Sequence, residues 1–381
     1  MKITSIKTHA ASIPLPVPRL TAHEPLGAAT VILVEVQTDA GLVGCGQIHG
    51  GPIKDICEWV ARFAEIVRGM DALGHLEVWE KLFALTRPRP GGMFGTDGLP
   101  PPLPRAARPQ IMAAIGGIDI ALWDIKGKAA GLPVYRLLGG ANRPVLAYAT
   151  GGYYREGAPL EACAEELGSY VAAKGYRAVK LKVGGLTIKD DVARVRATRE
   201  AIGSSTLLLL DLTAAYGIED CITFARAVES YDVFWLEEPL HWHLQPADYQ
   251  RLAAATPIPL AHCERELTRF TVRDFITCGA VRYVQFDSTR HAGFTESLRI
   301  VTLAEPLGVQ IAPHQAPELH AHLCAAFPAA SFGVESTGTP DPMWAGMYKQ
   351  RAEIRAGCVH LGEAPGFGIE IDWDFIGRHR V

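Results

Sequence analysis

Charged side chains recur at the ends of short apolar runs through the second half of this 381-residue chain. Neighbouring members are separated by roughly the length of one strand and one helix. The residues are Lys180, Lys182, Asp211, Glu237, Glu264, Asp287, His314 and Glu335. Side chains at the carboxyl ends of parallel barrel strands converge on one face, where (β/α)8 enzymes carry out their chemistry. The series therefore predicts an active site.

Carboxylates end three consecutive predicted strands, with no Cys or His at equivalent positions: Asp211, Glu237 and Glu264. Oxygen ligands of this kind favour a hard cation such as Mg²⁺, and without a cation the three acids would repel one another. The alternative is that an acid begins the next helix, where the helix dipole attracts negative charge. Glu238, which precedes Pro239, fits that alternative better than Glu237.

The remaining charged residues suggest acid/base chemistry. Lys180 and Lys182 are two positions apart, so a barrel strand would direct both inward, whereas an edge strand would expose both to solvent. A desolvated lysine beside other cations has a pKa lowered toward neutrality, which suits a general base. Asp287 and His314 lie on consecutive strands and are expected to hydrogen bond. Glu335 is expected to stay protonated next to bound anions and to donate to a developing oxyanion, with a helix cap or salt bridge as the alternative.

The elements that must position these residues follow from hydrophobic patterning. From Pro144 onward, eight apolar runs alternate with amphipathic stretches, which predicts βαβ units and a parallel sheet. The runs are VLAYA, AVKLKV, LLLLDL, VFWLEE, IPLAHCE, YVQFD, VQIAPH and SFGVE. An open doubly wound sheet would gather its functional residues at one switch point. Charged ends on consecutive strands favour a closed (β/α)8 barrel, an α/β fold.

An α+β capping domain is predicted before the barrel. Strands are expected at 2 to 14, 31 to 37 and 42 to 48, and helices at about 53 to 69, 75 to 86 and 109 to 130. We assign residues 1–140 to the cap, 141–340 to the barrel, and 341–381 to a segment that returns to the cap. The Pro/Gly-rich loop 87–109 would serve as a lid or an interface.

Composition limits the possible partners. The chain is 48% hydrophobic and carries a formal net charge of -4, without a basic tract, which argues against nucleic-acid and membrane partners. Its eight cysteines include no C-x-x-C pair, and no export signal or apolar run of membrane-spanning length is present. We expect a cytoplasmic homo-oligomer that binds a small-molecule carboxylate.

The joint pattern resembles the mandelate racemase subgroup of the enolase superfamily. It combines Lys180-x-Lys182, the Trp235-Leu236-Glu237-Glu238-Pro239 run and the other strand-ending residues with the cap segment IGGIDIALWDIKGKAAGLPVYRLLGG. The resemblance implies one Mg²⁺ per active site on Asp211, Glu237 and Glu264, which stabilises an enediolate formed by α-proton removal. It also implies that Lys182 and the His314–Asp287 pair act on opposite faces, while Lys180 and Glu335 contact the substrate carboxylate.

What the resemblance implies about the reaction leaves several alternatives. Dehydration of an acid sugar or related 2,3-dihydroxy carboxylate is favoured, and racemisation or epimerisation of a 2-hydroxy acid is the alternative. A cycloisomerase is less favoured because muconate-type enzymes carry a Lys where this chain has Asp287. A non-catalytic binding protein is the remaining reading. Thr213 stands where the family commonly has Asn, and the cap loops are expected to bring His23 and His49 to the substrate.

Overall fold

The cap begins with an antiparallel sheet. The computed structural model describes residues 1–87, 103–339 and 341–381, so most of the predicted 87–109 loop lies outside the described residues. The sheet has the order β1-β2-β3, with β1 at Ile3–Leu20, β2 at Pro25–Thr38 and β3 at Val43–Ile48. Both faces of β2 are buried along Val31–Val34: Ile32 and Val34 pack into the main core of the cap, while Val31 and Leu33 pack with Met343 and Trp344.

Four helices complete the first part of the chain as the structure describes it. They are α1 at Ile53–Val67, α2 at His75–Ala84, α3 at Arg108–Ala130 and α4 at Val134–Leu137. The long helix α3 packs closely on β3. A Cβ built on Gly46 would lie 1.9 Å from the carbonyl oxygen of Gly117, so glycine is required for this contact. The Gly44-x-Gly46 motif therefore serves helix–strand packing.

Eight parallel strands and the helices between them form the barrel. The strands are β4 Val145–Gly151, β5 Ala178–Lys182, β6 Leu207–Asp211, β7 Val233–Glu237, β8 Leu260–His262, β9 Val281–Val284, β10 Gln310–Ile311 and β11 Val334–Thr337. The helices are α5 Ala162–Lys174, α6 Ile188–Ile202, α7 Ile218–Val228, α8 Pro246–Ala255, α9 Arg269–Thr277, α10 Gly293–Ala304 and α11 Pro317–Ala326. Each strand coincides with one of the eight predicted apolar runs, and the predicted barrel is confirmed.

The sheet closes between its first and last strands. Strand β11 pairs with β4 in parallel, and the backbone N–H of Phe332 donates to the carbonyl of Ile311 at 2.9 Å. Inside the barrel, the buried rings of Trp235 and Tyr148 meet edge to face at 5.5 Å. Because these large side chains fill the interior, the polar chemistry is confined to the mouth.

The C-terminal segment adds short elements to both parts of the molecule. These are α12 Pro342–Gly346, β12 Tyr348–Gln350, β13 Glu353–Arg355, β14 Cys358–His360, β15 Glu370–Ile371 and α13 Trp373–Arg378. Strand β14 pairs with β4, while α12 and α13 contact β1. Short 3-10 helices occur at Arg105–Ala107, Glu229–Tyr231, Glu305–Leu307 and Pro328–Ala330. None of the helices in the described ranges has the length and apolar character needed to cross a membrane.

Candidate active site

Three buried carboxylates meet at the mouth of the barrel. Asp211 ends β6, Glu237 ends β7 and Glu264 follows β8 by two residues. One oxygen from each lies within 4.8 Å of the others, close enough to hold a single metal ion. The donors are all carboxylate oxygens, a set that suits Mg²⁺ better than a softer metal. We call Asp211, Glu237 and Glu264 the acidic triad.

Both lysines of β5 point into this mouth and pair with the triad. Lys182 Nζ donates to Asp211 Oδ2. Lys180 Nζ donates to Glu237 and also lies 3.4 Å from Asp211 Oδ2 and 3.0 Å from Glu335 Oε1. Lys180 is completely buried, which excludes the solvated edge strand considered from the sequence.

The expected lowering of the lysine pKa is wrong. Burial opposes the charged form of Lys182, but Asp211, Tyr153 and Glu264 together outweigh burial and raise the Lys182 pKa above the ordinary value. Burial also opposes the charged form of Lys180. Nearby carboxylates, of which Glu237 has the strongest effect, raise the Lys180 pKa well above the ordinary value. The sequence argument assumed neighbouring cations, whereas the structure surrounds each lysine with carboxylates.

Asp211 is positioned by the turn that follows β6. The backbone N–H of Thr213 donates to Asp211 Oδ1 at 2.9 Å, and the Thr213 hydroxyl donates to the same oxygen at 3.2 Å. Thr213 adopts φ 48°, a left-handed conformation that is unfavourable for a β-branched residue. Its hydroxyl is thus directed at the triad, and its expected role as a substrate contact stays a prediction.

Glu237 and Glu264 have opposite electrostatic surroundings. Burial raises the pKa of Glu237 well above normal, and Gln285 Nε2 donates to its Oε2 at 2.5 Å. Burial also disfavours ionised Glu264, but His314, Arg290 and Arg265 outweigh it and lower its pKa to about 2. Arg290 NH1 donates to Glu264 Oε1 at 2.8 Å. A proton is therefore held more tightly at Glu237 than at Glu264.

His314 and Asp287 form the contact expected from adjacent strands. His314 Nδ1 lies 2.9 Å from Asp287 Oδ2, and both residues are buried. The N–H and hydroxyl of Thr289 donate to Asp287 Oδ1 at 2.9 and 2.6 Å. Burial opposes ionisation of Asp287, yet the hydrogen bond from His314 and further contacts leave its pKa well below normal. An ionised Asp287 accepts the Nδ1 proton, so His314 Nε2 faces Glu264 Oε2 at 3.4 Å.

Glu335 forms the salt bridge that was the alternative to a protonated donor. It accepts a hydrogen bond from the Thr150 hydroxyl, and its Oε1 lies 3.0 Å from Lys180 Nζ. Burial disfavours the ionised form, but Lys180, His314 and Lys182 together outweigh burial and lower the Glu335 pKa. Protonation of Glu335 beside a bound anion stays a prediction.

The two cap histidines occupy different environments. His49 is buried, with Nδ1 3.9 Å from Asp287 Oδ2 and its ring 4.9 Å from the Trp344 ring. His49 also lines a cavity of about 430 Å³ together with Arg265 and Arg290. His23 is exposed, and its ring lies 5.1 Å from the Trp242 ring at a tilt of 52°. The structure thus brings His49 to the mouth and leaves His23 at the outer edge of the cap.

Two further residues at the mouth were not among the predicted site residues. Arg290 bridges the triad and the acid/base pair, since its Nε also lies 3.5 Å from Asp287 Oδ2. Its position three residues after Asp287 was the available signal, because such a residue starts the loop at the strand end. Tyr153 places its ring 5.5 Å from Lys182 Nζ. Its signal was the aromatic pair that follows the glycines after β4.

Backbone strain is concentrated where these side chains leave the strands. Residues with positive φ lie in the turns that follow β6, β7, β8 and β10: Thr213, Ala214, Glu238, Cys263, Gln315 and Ala316. Such conformations cost of order 1–3 kcal/mol each and persist where the surrounding structure enforces them. Sharp turns at the strand ends therefore aim the triad and its neighbours across the mouth.

Comparisons with known proteins identify the family. Residues 162–375 match the enolase C-terminal domain-like family, and residues 98–139 match the N-terminal domain of the mandelate racemase/muconate lactonizing enzyme family. The first match alone covers more than half of the chain. This protein belongs to the enolase superfamily, in its mandelate racemase branch.

Curated relatives extend over almost the entire chain. D-galactarolactone cycloisomerase of Agrobacterium fabrum is 31% identical over 395 residues, covering 100% of this chain and 99% of its own. L-talarate/galactarate dehydratase of Salmonella typhimurium is 30% identical, covering 97% of this chain and 89% of its own. The relatives thus include both dehydratases and cycloisomerases of acid sugars, which supports the prediction that this protein is an enzyme.

A solved structure supports the metal assignment. A racemase from Streptomyces coelicolor A3(2) with bound magnesium superposes with a TM-score of 0.87 at 26% identity, covering 100% of both chains. This chain carries an acidic triad able to bind the same kind of ion. A cycloisomerase was less favoured because muconate-type enzymes carry a Lys where this chain has Asp287. That reason does not apply to every cycloisomerase, because relatives named as cycloisomerases match this chain along its full length.

Proposed function

We propose that this protein is a Mg²⁺-dependent dehydratase of an acid sugar or a related 2,3-dihydroxy carboxylate. The observation that carries the proposal is the position of two acid/base groups at two ends of the acidic triad. Lys182 contacts Asp211 at one end, and His314 Nε2 faces Glu264 at the other. A substrate carboxylate directed at the triad would therefore have its carbon chain between a lysine and a histidine.

The lysine side would begin the reaction. Mg²⁺ on the triad would supply a Lewis acid that stabilises negative charge developing on the substrate carboxylate. Lys182, in its neutral form, would take the α-proton onto Nζ. Lys180 would place a positive charge beside the carboxylate, and Glu335 would hold Lys180 in position through their 3.0 Å contact.

The histidine side would complete the elimination. Protonated His314 would give its Nε2 proton to the β-hydroxyl, so that the C–O bond breaks and water leaves. The electrons of the α C–H bond become the new C=C bond, and the resulting enol tautomerises to a 3-deoxy-2-keto acid. Asp287 would stabilise the imidazolium through Nδ1, which leaves Nε2 free for the leaving group.

A second candidate is ring-opening or ring-closing isomerisation of an acid-sugar lactone. It is favoured by the 31% identity with D-galactarolactone cycloisomerase over the whole chain. The chemistry would share α-proton removal, but the departing oxygen would belong to the ring, so no water is released. Product mass separates the two reactions, because dehydration removes one water and isomerisation leaves the mass unchanged.

The test is NMR and mass spectrometry of acid sugars, their lactones and 2-hydroxy acids incubated with enzyme and Mg²⁺ in D₂O. A 3-deoxy-2-keto acid that is lost with Lys182→Ala and His314→Asn, but kept with the surface variant Lys189→Ala, is the expected result. Deuterium exchange with inversion and no elimination would instead assign a racemase or epimerase. Silence across the panel, with wild-type folding intact, would favour a non-catalytic binding protein.

A further inference from the structure

Arg19 is a cation at the mouth without a carboxylate partner among the described residues. Its guanidinium lies over the Tyr153 ring, 5.4 Å from the centroid. Other arginines near the site are already paired: Arg290 and Arg265 share Glu264 Oε1, at 2.8 and 3.6 Å. An unpaired, half-buried guanidinium is an available site for an anion.

Backbone contacts between cap and barrel hold Arg19 in place. The N–H groups of Leu20 and Tyr154 each donate to the other's carbonyl at 3.0 Å. Arg19 and Tyr153 each precede one member of this bridged pair, so their side chains share one face of it. The position of Arg19 relative to the barrel is therefore set by hydrogen bonds rather than by a free loop.

Tyr153 links Arg19 to the reacting end of the site. Its ring centroid lies 5.5 Å from Lys182 Nζ and 5.4 Å from the Arg19 guanidinium carbon. The two cations are therefore at most about 11 Å apart. A six-carbon acid with its α-carbon beside Lys182 can extend its far end toward Arg19 within that span.

We propose that Arg19 binds a second anionic group at the far end of the substrate, with Tyr153 as its platform. The inference rests on the proposed function for the orientation of the first carboxylate toward the triad. It assigns the substrate to acids charged at both ends, which a second carboxylate or a terminal phosphate would provide. Sugar acids with one carboxylate and a terminal hydroxyl would be poorer ligands.

The test compares matched ligands in the Mg²⁺-loaded His314→Asn protein, which prevents turnover. Isothermal titration calorimetry gives dissociation constants for galactarate against galactonate, glucarate against gluconate, and 6-phosphogluconate. We expect the doubly charged acids to bind about 10- to 100-fold more tightly, the usual value of a charge-assisted contact. Tighter binding of 6-phosphogluconate than of glucarate would assign the second anion as a phosphate.

Variants identify the residue responsible. Arg19→Met should remove the preference while leaving affinity for the singly charged acids unchanged, and Arg19→Lys should retain part of it. Arg155→Met is the matched control, because Arg155 lies opposite Arg19 but is paired with Glu166 at 2.9 Å. We expect no change in preference for this control.

Three results would overturn the inference. They are the absence of any preference for doubly charged acids, a preference that survives Arg19→Met, and equal weakening of both classes by that substitution. Failure of the proposed dehydration is a separate result, since it would show as no keto-acid product in the NMR experiment. Binding preference and turnover are thus measured independently.

Discussion

The two acid/base groups of the mouth are held in different ways. Lys182 is ion-paired with Asp211, a member of the acidic triad, and rests on the face of Tyr153. His314 is held by Asp287, which lies outside the triad and is itself fixed by Thr289. The protonation of the lysine is therefore tied to whatever occupies the triad. The histidine is oriented by a carboxylate that needs no metal.

The largest expected effect separates the roles of the two groups. Lys182→Ala should abolish both α-proton exchange and product formation, while His314→Asn should abolish product but retain exchange. Loss of an acid/base group typically lowers rates by about 10²- to 10⁴-fold. Proton NMR in D₂O measures exchange and elimination together. If His314→Asn also stopped exchange, the division of labour between the two sides would be wrong.

Asp287→Asn tests whether the histidine side is independent of the metal. The amide cannot stabilise an imidazolium, so kcat should fall by about 10- to 100-fold, the usual cost of losing such a partner. Mg²⁺ affinity measured by calorimetry should stay unchanged. A large fall in Mg²⁺ affinity would show that Asp287 supports the triad as well. Thr289→Val, which removes one hydrogen bond to the same carboxylate, should have a smaller effect.

Binding of Mg²⁺ on the lysine side of the mouth should release protons. Burial raises the pKa of Glu237, so protonation of this carboxylate competes with cation binding. Asp211 also loses part of its hold on the Lys182 proton once it binds a cation, which lowers the Lys182 pKa. Mg²⁺ affinity should therefore rise with pH. Calorimetry in buffers of different ionisation enthalpy counts the protons, and buffer-independent heats would contradict the prediction.

Glu264, which lies on the histidine side of the mouth, should make the free energy of unfolding depend on pH in acid. The pKa of Glu264 lies near 2 in the folded protein against 4.5 ordinarily, so its contribution to stability is complete above pH 4.5. That contribution is lost as pH falls from 4.5 toward 2, and amounts to roughly 2–3 kcal/mol. Glu264→Gln should flatten the fall in unfolding free energy over this range, as measured by urea denaturation with chelator present. An unchanged slope would contradict the assignment.

The smallest effect is expected at the outer edge of the cap. His23 is exposed and its ring contact with Trp242 is tilted, so His23→Ala should change KM by less than about threefold. His49→Ala should weaken substrate binding more, because His49 is buried 3.9 Å from Asp287. Steady-state kinetics on the two variants would rank these positions. A larger effect at His23 would mean that this edge closes over the substrate.

Several features of the site could be predicted because they depend on local pattern. Lys180 and Lys182 had to share a face in any strand, and apolar runs with charged ends had to become barrel strands with their charges at the mouth. The expected direction of the lysine pKa shifts was wrong. They depend on which carboxylates are nearest, and the Lys182–Asp211 and Lys180–Glu237 pairs join residues 29 and 57 positions apart.

The sequence by itself determined the barrel, its cap and the identity of the residues at the mouth, because alternation and strand length are properties of short segments. Only the tertiary structure decided how those residues are paired. Arg290 meets Glu264 across two strands, and Arg19 reaches Tyr153 from a different part of the chain. Distances of this kind arise from barrel closure and from the cap–barrel contact at Leu20 and Tyr154, which no local pattern encodes.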